Sequence, residues 1–237
     1  FGFSVSHTTR NIRPGEVDGQ SYHFVTRDEF EQRVRNGEFL EHAVFGGNMY
    51  GTTAQAVRDV HEKGAGRRAI LDIDAQGVRL IKQNHPDLNP IYVFISPPTF
   101  GTLKERLEGR ATDSKDAIER RLNMALDELA YARQPHSFDC IIVNQDLAKA
   151  YEKLRAVIQG EVSVPSDSVP PEDEAERLRR SSYAPIWTEA ATWSLLSQRA
   201  STDTWPPLCT IICTVIDWHV AACGTTSSAR GELSGWM

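Results

Sequence analysis

The chain has 237 residues, 40% hydrophobic and 24% charged, with a formal net charge of −6. That is enough ordinary globular sequence for one α/β domain with a sizeable core, and the negative charge argues against a general nucleic-acid binder. Four cysteines in this length do not suggest a disulfide framework, so a reducing compartment, the cytoplasm, is expected. No basic stretch followed by an apolar run marks a secretory leader. The apolar stretch 208–223 is too short to span a bilayer and contains Asp217 and His219.

Residues 1–24 place Ser6, Arg10, Arg13 and Tyr22 in one short stretch punctuated by glycine and proline. An arginine fork matches the oxygens of a phosphate, and hydroxyls can donate to those that remain. No G-x-x-x-x-G-K-[ST] loop occurs anywhere in the sequence. A helix is predicted over 28–36, with Asp28 as its N-cap and Gly37 as its stop. Next comes Glu38-Phe-Leu-Glu41, then Phe45-Gly-Gly-Asn-Met-Tyr-Gly-Thr52, which reads as a hairpin with a tight glycine turn. A carboxylate such as Glu41 can accept from the N1–H and N2–H₂ edge of guanine, a hydroxyl such as Thr52 can donate to O6, and Tyr50 can reach a phosphate. Taken alone, the segment reads as an ordinary hairpin with a solvated glutamate.

A second helix is predicted over 53–62, followed by a buried strand over 69–74 that ends in Asp72 and Asp74. In open α/β sheets ligands bind beyond the carboxyl ends of the strands, and two acids there can hold Mg²⁺ through water. The plainer reading is an aspartate capping the helix that starts near Gln76. A strand over 91–95 and helices over 99–108 and 115–132 follow. Arg106 and Arg110 share a face if the first of these helices persists through Gly109, and Arg121 comes from the second. Converging arginines can neutralise a transferring phosphoryl group, although solvated basic faces give the same pattern. The domain closes with a strand over 140–143, Asn144, and a helix over 147–159.

After about residue 161 the composition changes. Residues 162–237 hold no lysine, all five tryptophans and three of the four cysteines, and they read as an unstructured tail. Cys209, Cys213, His219 and Cys223 are potential zinc ligands, but their spacing matches no common structural site.

Each signal is weak alone, but their order and spacing together are specific. FGFSVSHTTRNIRPGEVDGQSYHFV, GEFLEHAVFGGNMYGTT, AILDIDAQG, LKERLEGR and IIVNQD make residues 1–161 resemble the guanylate kinase family. The resemblance implies an α/β nucleoside-monophosphate-kinase fold with a parallel sheet. It also implies an inserted GMP-binding subdomain over about 9–62 and a helical lid over about 101–123. It implies ATP and GMP as substrates, Mg²⁺ accompanying ATP, and a cytoplasmic monomer that needs neither nucleic acid nor membrane. By that likeness Ser6, Arg10, Arg13, Tyr22 and Tyr50 hold the GMP phosphate, and Glu41, Thr52 and Asp74 read the guanine. Asp72 lies near Mg²⁺ through water, Arg106, Arg110 and Arg121 act on the ATP phosphates, and Asn144 lies near the adenine.

The family's first strand, phosphate loop and following helix fall before the position of Phe1. The chain is therefore expected to be an N-terminally incomplete copy, impaired in catalysis, with the neighbours of that strand left with open edges. The alternative is a non-catalytic binding module of the same family. The presence of Glu41, Asp74, Arg106, Arg110 and Arg121 favours the enzyme.

Overall fold

The computed structural model describes residues 1–45, 47–64, 66–109, 114–160, 164–183 and 211–215. These fall into two units, 1–91 with 211–212 and 92–183 with 213–215.

The first unit holds short strands β1 (Gly2–Phe3), β2 (His7–Thr8) and β3 (His23–Phe24), helix α1 (Arg27–Arg35), and the hairpin β4 (Phe39–Phe45) and β5 (Asn48–Thr53). Helix α2 (Ala54–Lys63), strand β6 (Ala69–Asp72), helix α3 (Ala75–Asn84) and a 3-10 turn (Pro86–Leu88) complete it. Strands β3, β2, β5 and β4 form one four-stranded sheet in that order. Separately, β1 pairs with β6 in parallel, Gly2 opposite Ala69 and Phe3 opposite Ile70.

Local sequence explains most of these boundaries. The N-cap of α1 is Thr26, not the expected Asp28. Its hydroxyl accepts from the Glu29 amide while the Glu29 carboxylate accepts from the Thr26 amide, closing a capping box. Phe30 and Val34, four apart on α1, are buried with Phe39 and Met49, and the rings of Phe30 and Phe39 stack at 4.5 Å. Gly37 follows the helix at φ +69°, a conformation that favours glycine. Strand β6 stops at Asp72, two residues short of the expected end. Asp74 lies beyond the strand and caps α3, accepting from the Gly77 amide at 2.8 Å.

The second unit begins with β7 (Ile91–Ser96) and α4 (Phe100–Glu108), then α5 (Lys115–Ala132), β8 (Cys140–Val143) and α6 (Leu147–Gln159). Strands β7 and β8 pair in parallel, Val93 opposite Cys140 through Ser96 opposite Val143. The core packs Phe94 against Phe100, Leu103 and Leu107 of α4 and Leu122, Leu126 and Leu129 of α5. Helix α4 ends at Glu108 with Gly109 as C-cap, so the helix does not continue through Gly109 as a shared face for Arg106 and Arg110 required.

Two stretches of the tail carry regular structure that the sequence did not lead one to expect. Residues 164–183 are described and include helix α7 (Glu174–Ser181), and Ile211–Val215 forms strand β9. Residues 211–212 of β9 fall in the first unit and 213–215 in the second. Ile212, Cys213 and Thr214 are buried. Cys209, His219 and Cys223 lie outside the described residues. Among the described residues no helix is long and apolar enough to cross a membrane.

Candidate functional site

Strand β4 carries a bulge between Phe39 and Glu41, so Phe39 faces Thr53 while Glu41 faces Thr52. This shift sets the Glu41 carboxylate beside the Thr52 side chain, to which it is hydrogen-bonded. Thr52 is fully buried, and its Oγ1 also lies 2.9 Å from Ser6 Oγ. Helix α3 packs on β4, and a Cβ added to Gly77 would come 2.9 Å from Glu41 Oε2. Any residue but glycine there would displace the carboxylate.

Glu41 is a carboxylate in the interior, 5% exposed. Burial pushes it up to about 8; the Thr52 hydrogen bond acts the other way, and the charges of Asp74 and Asp72 add to the rise. Asp72, at the end of β6, is half-buried and raised to about 7 by burial and by Asp74. Asp74 is raised by burial as well, although its bonds to the first turn of α3 hold it back. Three acids thus share one region, each disfavoured as an anion. Such a group attracts N–H donors or a cation that stabilises the charged forms.

A second cluster surrounds Arg10. Its guanidinium meets both oxygens of Glu16, at 3.0 and 2.7 Å, and lies over the rings of Tyr22 (5.5 Å) and Phe24 (5.7 Å). Burial would lower Arg10, but its hydrogen bond and charge pairing with Glu16, together with Tyr50, raise it overall. Glu16 is lowered by its bond to Arg10, and it also accepts from the Arg13 amide at 2.7 Å. Tyr22 and Tyr50 meet edge to face at 6.1 Å. Burial and the charge of Asp72 raise the Tyr22 hydroxyl to about 12, so it stays a neutral donor. Hydrogen bonds thus link Ser6, Thr52 and Glu41, with Asp74 and Asp72 acting on Glu41 through their charge, and ring contacts link Arg10, Tyr22 and Tyr50, while Arg13 is exposed with its backbone tied to Glu16.

In the second unit Arg106 donates to the Asn144 carbonyl at 3.0 Å, and the Asn144 amide donates to Ser96 at the end of β7. This joins α4 to the loop after β8. Arg121 lies on α5, half-buried. Arg110 lies outside the described residues.

The guanylate kinase family model matches residues 1–161. The chain belongs to the guanylate kinase family. It is 45% identical to the guanylate kinase of Sus scrofa over 162 residues, covering 68% of this chain and 80% of that protein. It is 48% identical to that of Schizosaccharomyces pombe over 157 residues, covering 66% and 76%. The guanylate kinase crystal structure from Anaplasma phagocytophilum is 31% identical with a TM-score of 0.53, covering 67% of this chain and 74% of that one. The α/β fold with parallel strand pairing is the one expected.

Sequence reasoning missed two residues of this candidate site. Glu16 holds the Arg10 fork, and its signal was a carboxylate six residues on, across a Pro-Gly turn. Gly77 gives Glu41 its space, and nothing in a lone A-Q-G announces that.

Proposed function

We propose that this chain binds GMP in its first unit and serves transfer of the ATP γ-phosphoryl group to it, giving GDP and ADP. In that reaction a GMP phosphate oxygen forms the new bond to the γ-phosphorus, and the bond to the β,γ-bridging oxygen breaks. The observation that carries this reading is the buried acid Glu41, opposite Thr52 and beside Asp74. Guanine offers what the cluster lacks: N1–H and N2–H₂ donate to Glu41 and Asp74, and O6 accepts from Thr52. Adenine, with an acceptor at N1, leaves the carboxylate unpaired, at a cost of about 1–3 kcal/mol.

The Arg10 cluster, with Ser6, Arg13, Tyr22 and Tyr50, takes the GMP phosphate, so the four-stranded sheet and its flanks act as the acceptor subdomain. Tyr22 brings an uncharged hydroxyl donor to it. Asp72, raised to about 7 and half-buried, suits a Mg²⁺ ion held through water, which when bound screens phosphate charge. Arg106, Arg110 and Arg121, within the segment 101–123, act on the ATP phosphates as lid arginines, with Asn144 near the adenine. Phosphoryl transfer rests on such positioning and charge stabilisation.

These 237 residues hold no G-x-x-x-x-G-K-[ST] loop, whose amides and lysine cradle the β- and γ-phosphates. The chain as it stands is therefore a GMP binder with weak transfer activity. A coupled assay of ADP formation, with calorimetry for each nucleotide, tests both parts. GMP should bind more tightly than ATP, and turnover should fall well below the ~1–100 per second of ordinary kinases. Tight ATP binding with no GMP binding would overturn the acceptor assignment, and ordinary turnover would overturn the impairment.

A further inference from the structure

Residues 164–183 lie beyond the span matched by the family model, yet they are bound along the length of the second unit. The segment first runs beside β8. The Ile141 amide donates to Ser166 Oγ at 2.9 Å, the Asp167 amide donates to the Ile141 carbonyl at 2.9 Å, and the Val143 amide donates to the Asp167 carboxylate at 2.9 Å. Lys153 of α6 holds the same carboxylate at 2.6 Å. The Arg133 guanidinium then donates to the Pro170 carbonyl and to both oxygens of Glu176, at 2.6 and 2.8 Å. Glu176 is 1% exposed and also accepts from Arg180.

Asp173 joins two helices at once. One oxygen caps α7 through the Glu176 amide at 2.7 Å, and the other accepts from the Gly101 amide in the first turn of α4 at 2.7 Å. Arg179 reaches α5, donating to Asn123 Oδ1 at 3.0 Å, to Glu119 Oε2 at 2.6 Å and to the Glu119 carbonyl at 2.9 Å. Tyr183 completes the line by donating to Asp127 at 2.9 Å. Glu119, Asn123 and Asp127 recur every four residues, so the segment grips one face of α5. At about 100° per residue, Arg121 lies roughly 160° round the helix from both Glu119 and Asn123.

We propose that residues 164–183 are a strap that fixes the roll of α5, and that Arg179 and Asp173 are positioning residues for the arginines of α4 and α5. A grip on one face sets the direction of the opposite one, so Arg179 sets the aim of Arg121. Asp173, bound at the start of α4, acts in the same way on Arg106, five residues farther along the helix. The proposal rests on the reading of Arg121 as a contact to the ATP phosphates.

The test uses the full chain with GMP present, and inorganic tripolyphosphate as the probe. Arg179→Met removes the grip. Glu119→Gln removes only the exposed carboxylate and serves if the first variant misfolds. Amide exchange over 115–124 should quicken about tenfold in Arg179→Met while exchange over 41–53 and GMP affinity hold. Tripolyphosphate affinity should fall about fivefold, and that loss should vanish when Arg179→Met is made in an Arg121→Met background. Unchanged exchange over 115–124, or a loss that persists without Arg121, overturns the strap's positioning role. If Arg121→Met alone leaves tripolyphosphate binding unchanged, the proposal falls through Arg121's assignment instead, and the exchange result tells the two failures apart.

Discussion

Replacing Glu41 by glutamine should stabilise the ligand-free protein at high pH while removing its recognition of GMP. Glu41 is 5% exposed and its carboxyl is pushed from 4.5 up to about 8, burial being the largest cause. An acid raised on folding binds its proton more tightly in the folded state. Stability therefore falls as pH rises from about 4.5 to about 8, and is flat above that. Asp72, raised from 3.8 to about 7, contributes in the same direction. At ~1.4 kcal/mol per pH unit the rise of Glu41 corresponds to at most ~5 kcal/mol. Asp74 and Asp72 supply only part of that rise, burial the larger part, and a gain of ~2–5 kcal/mol at pH 9 is expected. In a chain of this size that is a rise in melting temperature on the order of 5–15 °C. The assay is thermal unfolding of wild type and Glu41→Gln at pH 5 and pH 9, without ligand. The variant should gain at pH 9 and show little difference at pH 5, and GMP should no longer shift its melting temperature. An equal shift at both pH values, or a loss at pH 9, would refute the argument that Glu41 is a buried carboxyl under strain.

Three other outcomes are expected. GMP binding to wild type near pH 7.5 should release protons, read by calorimetry in buffers of different ionisation heat, because the ionised Glu41 is the form that accepts from guanine. The phosphate of GMP titrates near pH 6 and is already a dianion there, so it does not mask the release. Arg10→Lys should weaken GMP binding by about tenfold or more while leaving guanosine binding nearly unchanged, since an ammonium cannot reproduce the guanidinium fork. Glu176→Ala should lower stability by about 3–5 kcal/mol in urea unfolding, because Arg133 and Arg180 lose the carboxylate they share in the interior.

Much of the local structure was legible. The boundaries of α5, β8 and α6 follow from apolar periodicity and flanking cap residues. Asp72 and Asp74 were visible as a strand-end pair. The capping of the next helix was one of two readings of the pair, and Asp74 fulfils it; the end of β6 at Asp72 was not legible, because a D-x-D reads equally well as strand or cap. Thr26 and Asp28 each have a glutamate three residues on; the box closes at Thr26, where Val25 before the cap also packs against the Phe30 cluster. Helix α7 was not legible for a different reason: it is short and highly charged, and the partners that hold it are about 40 to 70 residues away in sequence.

Sequence alone determined the family and the chemical types at the site: a fork, two tyrosines, hydroxyls and three acids in a fixed order. Tertiary structure decided what those groups do to one another. The bulge in β4 turns Glu41 onto Thr52, α3 closes over it at Gly77, and burial lifts its carboxyl far above the value it has in water. No residue pattern encodes that shift, because desolvation depends on what every neighbouring element covers.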